Sequence, residues 1–284
     1  MKKKIPIIGL VLGLCMLIFY PAYDFYYTYK NTEKVKQLEN TTSKLSTDSL
    51  KSYFDEAELY NKSLAGEITG KTIKPYEKQL NTSGKNTAFA SLIIPKITLT
   101  LPIYHGTDES ALAQGVGHLK ETSLPIGGPS THTCLSAHSG MKEMRAFDDI
   151  RKLENGDVFG IKTLGKLITY KVYKTEVVLP HNMHSLLIEK DQDLATLITC
   201  TPYGVNTHRL LVHAKRCPVP NGFEKNKEVI KNVITNKRYL PAIVAISLLL
   251  LLIIFHILKK NNKKKRSKKI WKLNQIKKQV SHLH

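Results

Sequence analysis

"LATLITCTPYGVNTHRLLVHAKR", residues 194–216, decides what kind of fold this chain makes. Its first half sets Leu194, Leu197 and Ile198 among β-branched threonines and ends in a cysteine, Cys200. Its second half, "HRLLVHAKR", is again apolar and short. Pro202-Tyr203-Gly204 stands between them, a turn signature. Two short apolar runs about a turn read as a β-hairpin, so the spacing places Cys200 opposite Arg209 near its open end.

The same grammar extends upstream to Ala88. "AFASLIIP", "TLTLPIY", "THTCLSAH", "VFGIKTL" and "LITYKVYKTEVVLP" are further strand-like runs. They are parted by Pro95, Gly127-Gly128-Pro129, Asn155-Gly156-Asp157 and Gly165. Regular short strands with few helices predict a mainly β domain over 87–217, a closed antiparallel-rich barrel or a sandwich. A helix is expected near 143–153. Residues 24–65 read instead as an extracellular helical region. Val35, Leu38, Leu45, Leu50, Phe54, Ala57 and Leu64 recur at helical spacings, and Gly66 and Gly70 close the segment. Residues 66–86 are polar and glycine-bearing, a loop of the length that usually serves a function or lacks order.

The net charge of +20 lies mostly at the two ends. Eleven of the 43 Lys and Arg fall between Lys259 and Lys278, and three more are Lys2, Lys3 and Lys4. Each basic end abuts an uncharged run, Ile5–Tyr23 or Tyr239–Leu258. At about 1.5 Å per residue, the second reaches roughly 30 Å, the thickness of a bilayer core. Both runs are expected to be transmembrane helices, with a cleavable signal segment as the alternative for the first. The lysines of residues 1–4 and the basic tail of 259–284 put both termini in the cytoplasm and residues 24–238 outside, with 218–238 as a connector. The tail suits anionic lipid, and this distribution gives no reason to expect a nucleic-acid partner.

Three cysteines, Cys134, Cys200 and Cys217, then lie outside the cell, and three cannot all pair within the chain. Cys134, in the strand leading to His138, reads as a small core residue. Cys200 ends a strand, where a thiol can be presented, and it needs a base to become a strong nucleophile. Eight histidines are available: His105, His118, His132, His138, His181, His184, His208 and His213. His138 stands out because it too ends a strand-like run, before Ser139-Gly140. Arg209 cannot act as a base but can stabilise an oxyanion. Spacing alone leaves open whether Cys200 is catalytic or a buried structural thiol. "HNMH" at 181–184 is a weak metal motif, and no metal is expected.

"TLITC" resembles the TLxTC signature of sortases, with Thr199 as a supporting residue, and Arg209 follows after a short loop as in that family. "IPKITLTLPIYHGTDESALAQGVGHLKETSLPIGGPSTHTCLSAHSG" (94–140) and "ATLITCTPYGVNTHRLL" (195–211) are similar to class C, or pilin, sortases. The resemblance implies a closed eight-stranded sortase-type β-barrel with N-terminal helices, here flanked by two spans. It implies a cysteine transpeptidase that needs no cofactor. Cys200 would be the nucleophile attacking an LPxTG-like sorting signal after its Thr, His138 the general acid/base, and Arg209 the oxyanion donor. The acceptor would be a pilin lysine. Alternatives are hydrolysis, a housekeeping-type sortase that anchors proteins to the cell wall, and a non-catalytic membrane-tethered binding module. A papain-like peptidase is disfavoured, because there the cysteine precedes the histidine and starts a helix.

Two departures from the family pattern carry consequences. Ala137-His138-Ser139-Gly140 replaces the usual Gly-His-Arg-Gly. Lys74-Pro75-Tyr76 stands where class C enzymes carry an Asp-Pro-aromatic lid, so a lid here is expected to set Tyr76 against the cysteine without an acid–arginine anchor.

Overall fold

The computed structural model describes residues 5–69, 72–84, 87–140, 146–223, 243–256, 259–260 and 262. The N-terminal lysines, residues 224–242 of the connector and second uncharged run, and nearly all of the basic tail lie outside them. Of the described residues, those from 24 to 223 fall in one compact unit and the others in a second.

Eight strands close into a barrel: β1 (Ala90–Ile94), β2 (Leu99–His105), β3 (Val116–His118), β4 (Thr131–Ser136), β5 (Val158–Thr163), β6 (Lys166–Val178), β7 (Asp193–Thr201) and β8 (His208–Cys217). Around the barrel their order is β1-β2-β3-β4-β7-β8-β6-β5. The pairs β2–β3 and β4–β7 are parallel and the others antiparallel. This is the closed barrel expected, with the hairpin of 194–216 as its β7–β8 pair. Leu135, Ala195, Leu197, Val212 and Ala214 point into the main core. The alternate residues Cys134, Ile198 and Leu211 pack outside it in a second, smaller apolar cluster with Leu186. Period-two alternation thus gives the β4–β7–β8 sheet two apolar faces. The outer one is covered by the segment that joins β6 to β7.

β3 is the strand that the pattern of apolar runs does not reveal. It has only three residues, and its centre is Gly117. A Cβ there would lie 2.4 Å from the Gly106 carbonyl oxygen, so close backbone approach requires glycine. The helix expected near 143–153 is a 3₁₀ turn at Ile150–Lys152; residues 141–145 lie outside the described set.

The N-terminal helical region divides in two. α1 (Ile5–Thr42) runs through the expected boundary at 23, and α2 (Thr47–Leu64) follows a break. Ser46 caps α2 by accepting from the Ser49 amide. Gly66, at φ 72°, closes it with amide bonds from Gly66 to Ser63 and from Glu67 to Lys62, a Schellman ending. Among the described residues, no helix is long and apolar enough to cross a membrane.

α2 docks on the barrel through Asn61. Its amide donates to the Leu124 carbonyl at 3.1 Å and its carbonyl accepts from the Leu124 amide at 2.7 Å, with Asn61 buried. Replacing Asn61 with Ala strands both backbone groups, each worth roughly 1–3 kcal/mol when buried without a partner. The expected loss of stability for Asn61→Ala is about 2–4 kcal/mol, read from urea unfolding.

Candidate active site

Three adjacent strand ends meet at one rim of the barrel. In the β4–β7 pairing Ser136 lies beside Ile198, and beyond the end of β4 the Ala137 amide still bonds to the Ile198 carbonyl at 3.2 Å. Parallel register therefore carries His138 to the level of Cys200. On the other side, β7 and β8 are antiparallel with Cys200 directly opposite Arg209. His138, Cys200 and Arg209 thus stand side by side on the successive elements β4, β7 and β8. They line one cavity of about 350 Å³.

Side chains fix the rim. Thr199 Oγ1 donates to the Ala137 carbonyl at 2.8 Å, and Ser139 Oγ donates to the Cys200 carbonyl at 2.8 Å. The Phe147 amide bonds to the His138 carbonyl, and the Gly140 amide to Asp148 Oδ1. The loop that carries His138 is therefore tied to β7 on both sides of the histidine. Thr199, expected only as a supporting residue, is one of these ties. Ser139 is another, at the position where the family usually has arginine.

His138 Nε2 is buried and has no hydrogen-bond partner among the described residues. Among the described residues, the nearest carboxylate oxygen to it is Glu109 Oε2 at 3.8 Å, on an exposed side chain that opens α3 (Glu109–Leu112). Arg209 Nη1 donates to the carbonyls of Asn206 and His208 at 3.1 and 3.0 Å, which fixes the guanidinium beside the β7–β8 turn. The cavity floor is apolar, with Ile198 and Leu211. One wall holds Leu112 and Leu119; the other is the start of the β6–β7 segment, including Leu179, Met183 and Leu186. An ordered nucleophile, a histidine with a free ring nitrogen and a fixed cation over an apolar trough are the parts of an acyl-transfer site that seats a peptide.

Tyr76 lies elsewhere, and this corrects the expected contact with the cysteine. None of Lys74, Pro75 and Tyr76 lines the cavity that holds Cys200. Tyr76 is buried among Tyr60, His105 and His118. Its hydroxyl bonds to His118 Nδ1 and the His118 carbonyl, both at 2.9 Å, and accepts from the Gly106 amide at 3.0 Å. Pro75 caps the 3₁₀ turn Tyr76–Lys78, and Lys74 pairs with Glu56 of α2. The middle of the 66–86 loop is a clasp between α2 and the barrel.

Neither Cys134 nor Cys217 lines the Cys200 cavity. All four in the chain are free. Cys134 is fully buried and burial pushes its thiol up, while Cys217 lies 3.6 Å from Thr169 Oγ1. Among the described residues, no group of His, Cys, Asp and Glu is arranged to hold a metal ion.

A closed eight-stranded barrel with a cysteine, a histidine and an arginine on three neighbouring strand ends defines a class of cysteine acyl-transfer enzymes. The sortase domain pattern matches residues 92–217. Sortase D of Bacillus subtilis is 28% identical over 228 residues, covering 76% of this chain and 99% of that protein. Sortase C1 of the group B Streptococcus pilus island 1 superposes with a TM-score of 0.61 at 36% identity, over 66% of this chain and 93% of that one. Clostridium perfringens sortase C, solved with the C-terminal cell wall sorting motif, gives 0.60 at 36% identity, over 66% and 99%. The chain belongs to the sortase family, the cysteine transpeptidases, and the structures it matches over nearly their whole length are class C sortases.

Proposed function

We propose that this sortase cleaves an LPxTG-like sorting signal after its threonine and transfers the acyl group to a lysine of a pilin subunit, building an isopeptide-linked polymer. The observation that carries the reading is the row His138, Cys200, Arg209 at the edge of one apolar cavity. The Cys200 thiolate attacks the threonine carbonyl and forms a C–S bond. Arg209 stabilises the negative charge that develops on the carbonyl oxygen. His138, entering as imidazolium, gives its proton to the glycine nitrogen as the Thr–Gly C–N bond breaks. A lysine amine then attacks the thioester, His138 takes a proton from it, and the thiolate leaves. The apolar floor favours the leucine and proline of the signal. The two class C structures support the pilin reading through the class they represent. The class C structures include one solved with a sorting motif, so the donor class has support from a relative.

The same proposal places the enzyme on a membrane. Ile5–Tyr23 and Tyr239–Leu258 would act as spans, with both basic ends in the cytoplasm and the barrel outside. Anionic lipid would hold the tail. The uncharged length of each run and its basic flank support this reading.

The test is incubation of the full-length enzyme with purified pilin subunits. A ladder of SDS-resistant polymers, lost in Cys200→Ala, is the expected result. Cleaved monomers without a ladder would overturn pilin polymerisation and favour hydrolysis or transfer to a cell-wall amine.

A further inference from the structure

One buried polar chain lies beneath the cavity and takes no part in the chemistry above. His132 Nδ1 meets the Leu187 carbonyl at 2.9 Å. His132 Nε2 meets Thr196 Oγ1 at 2.7 Å, and Thr196 Oγ1 meets His213 Nδ1 at 2.8 Å. His213 Nε2 meets Glu176 Oε1 at 3.1 Å. His132, Thr196 and His213 are each at most 2% exposed, so water cannot replace a missing link there. The chain crosses β4, β7, β8 and β6 in turn. Both of its ends reach the segment between β6 and β7, His132 through Leu187 and Glu176 through its hydrogen bond with Ser185. That segment carries Met183 and Leu186 into the wall of the Cys200 cavity.

Each link needs one hydrogen. The Leu187 carbonyl only accepts, and so does an ionised carboxylate. Lys174 beside Glu176 holds that carboxyl down to about 2, so it is ionised at neutral pH. Thr196 has one hydroxyl hydrogen, and two neutral imidazoles bring one N–H each. Three hydrogens cannot fill four links. The geometry satisfies all four only when one of the two rings carries a second proton. Burial holds both rings below the ordinary imidazole value, and on His213 it outweighs the opposing pull of the Glu176 carboxylate, so the extra proton is taken up only below about pH 6.5. The other charged or titratable groups facing the chain are Lys174 and Tyr173 on β6, Lys215 on β8 through its contact with Tyr173, and Glu189 on the connecting segment.

We propose that His132, Thr196, His213 and Glu176 are positioning residues for the donor-peptide cavity: they share one extra proton, and that proton clamps the 184–187 segment against the barrel. This rests on the reading of the Cys200 cavity as the place where the sorting signal binds. When the proton leaves, two acceptors face each other at one link and the cavity wall loosens. The extra proton is present at low pH and lost as pH rises. The consequence is a KM for the sorting peptide that climbs with pH and no matching fall in kcat.

Glu176→Gln separates this from an ordinary structural role. The Gln amide can donate to a neutral His213 Nε2, so all four links fill without the extra proton. Thr196→Val is nearly isosteric but removes the two central links. The test uses the full-length chain labelled with ¹⁵N-histidine, with ring-nitrogen shifts read at pH 5. The expected count is three protonated nitrogens of four for His132 and His213 in the wild type, and two of four in Glu176→Gln. Kinetics with an LPxTG peptide should show KM rising about 3–10-fold between pH 5 and 7.5 in the wild type, a flat KM in Glu176→Gln, and a raised KM at every pH in Thr196→Val. Two protonated nitrogens in the wild type at pH 5, or parallel KM profiles for wild type and Glu176→Gln, would overturn the clamp. The nitrogen count needs no substrate, so it decides the clamp even where the peptide proves not to be turned over.

Discussion

Cys200→Ala is expected to abolish transpeptidation, with a loss on the order of 10⁶-fold, the size seen when a covalent enzyme is stripped of its nucleophile. The fold should survive. Cys200 sits at the end of β7, only partly buried, and its register with Arg209 is set by backbone pairing. Neither of the ties flanking it, Thr199 Oγ1 to the Ala137 carbonyl and Ser139 Oγ to the Cys200 carbonyl, uses the thiol. The variant should therefore unfold at an unchanged denaturant midpoint and still bind the sorting peptide. It should give no thioacyl adduct by mass spectrometry. Arg209→Ala is the companion measurement. It keeps the nucleophile and removes the donor opposite it, so an adduct forms slowly, about 10²–10³-fold below wild type. Acyl transfer by Cys200→Ala would remove Cys200 from the reaction altogether.

Much of this site was legible in the sequence because strand ends are local events. The turn at 202–204 fixes the β7–β8 pairing, and with it the meeting of Cys200 and Arg209. His138 is the harder residue to place, since it lies 62 positions before the cysteine and reaches it only through the parallel β4–β7 register. No spacing rule gives parallel register: the strand-like run that ends at His138 made it a candidate, and the family resemblance made that choice specific. The apolar runs also left β3 unseen, because three residues centred on glycine make no pattern. The buried chain His132–Thr196–His213–Glu176 was hidden for a related reason. Its members come from four strands and make a unit only once the barrel closes, so each histidine reads alone as an ordinary strand residue. Tyr76 shows the opposite failure. Its proline-aromatic neighbourhood matched a lid, but partner chemistry decides where a phenol goes, and those partners, His118 and Gly106, lie on β3 and just beyond the end of β2.

Tyr76→Ala is expected to cost about 3–5 kcal/mol of stability, the range for emptying a large buried aromatic site. The reason goes beyond volume. His118 Nε2 faces the Ser123 carbonyl at 2.9 Å and so must carry its hydrogen there, which leaves Nδ1 bare; the single Tyr76 hydroxyl hydrogen is shared between that nitrogen and the His118 carbonyl. Removing the phenol leaves that buried nitrogen and the Gly106 amide without their partner. Tyr76→Phe keeps the ring packing against Tyr60 and His105 and loses only the hydroxyl, so it should cost about 1–3 kcal/mol. The same histidine gives the pair a pH signature. Full burial pushes His118 down to about 4 from its ordinary 6.5, so the unfolded chain binds a proton between those values that the folded chain refuses. Its contribution is complete above pH 6.5 and is lost as pH falls towards 4, a change of roughly 3 kcal/mol. Urea midpoints taken at pH 7.5 and pH 4.5 should therefore fall for wild type. The clasp also makes a kinetic claim. Modification of Cys200 by a small thiol reagent should proceed at the wild-type rate in Tyr76→Phe, because the hydroxyl it removes lies outside the Cys200 cavity. Faster modification in Tyr76→Phe at unchanged stability would restore the lid and break the assignment of this tyrosine to the barrel core.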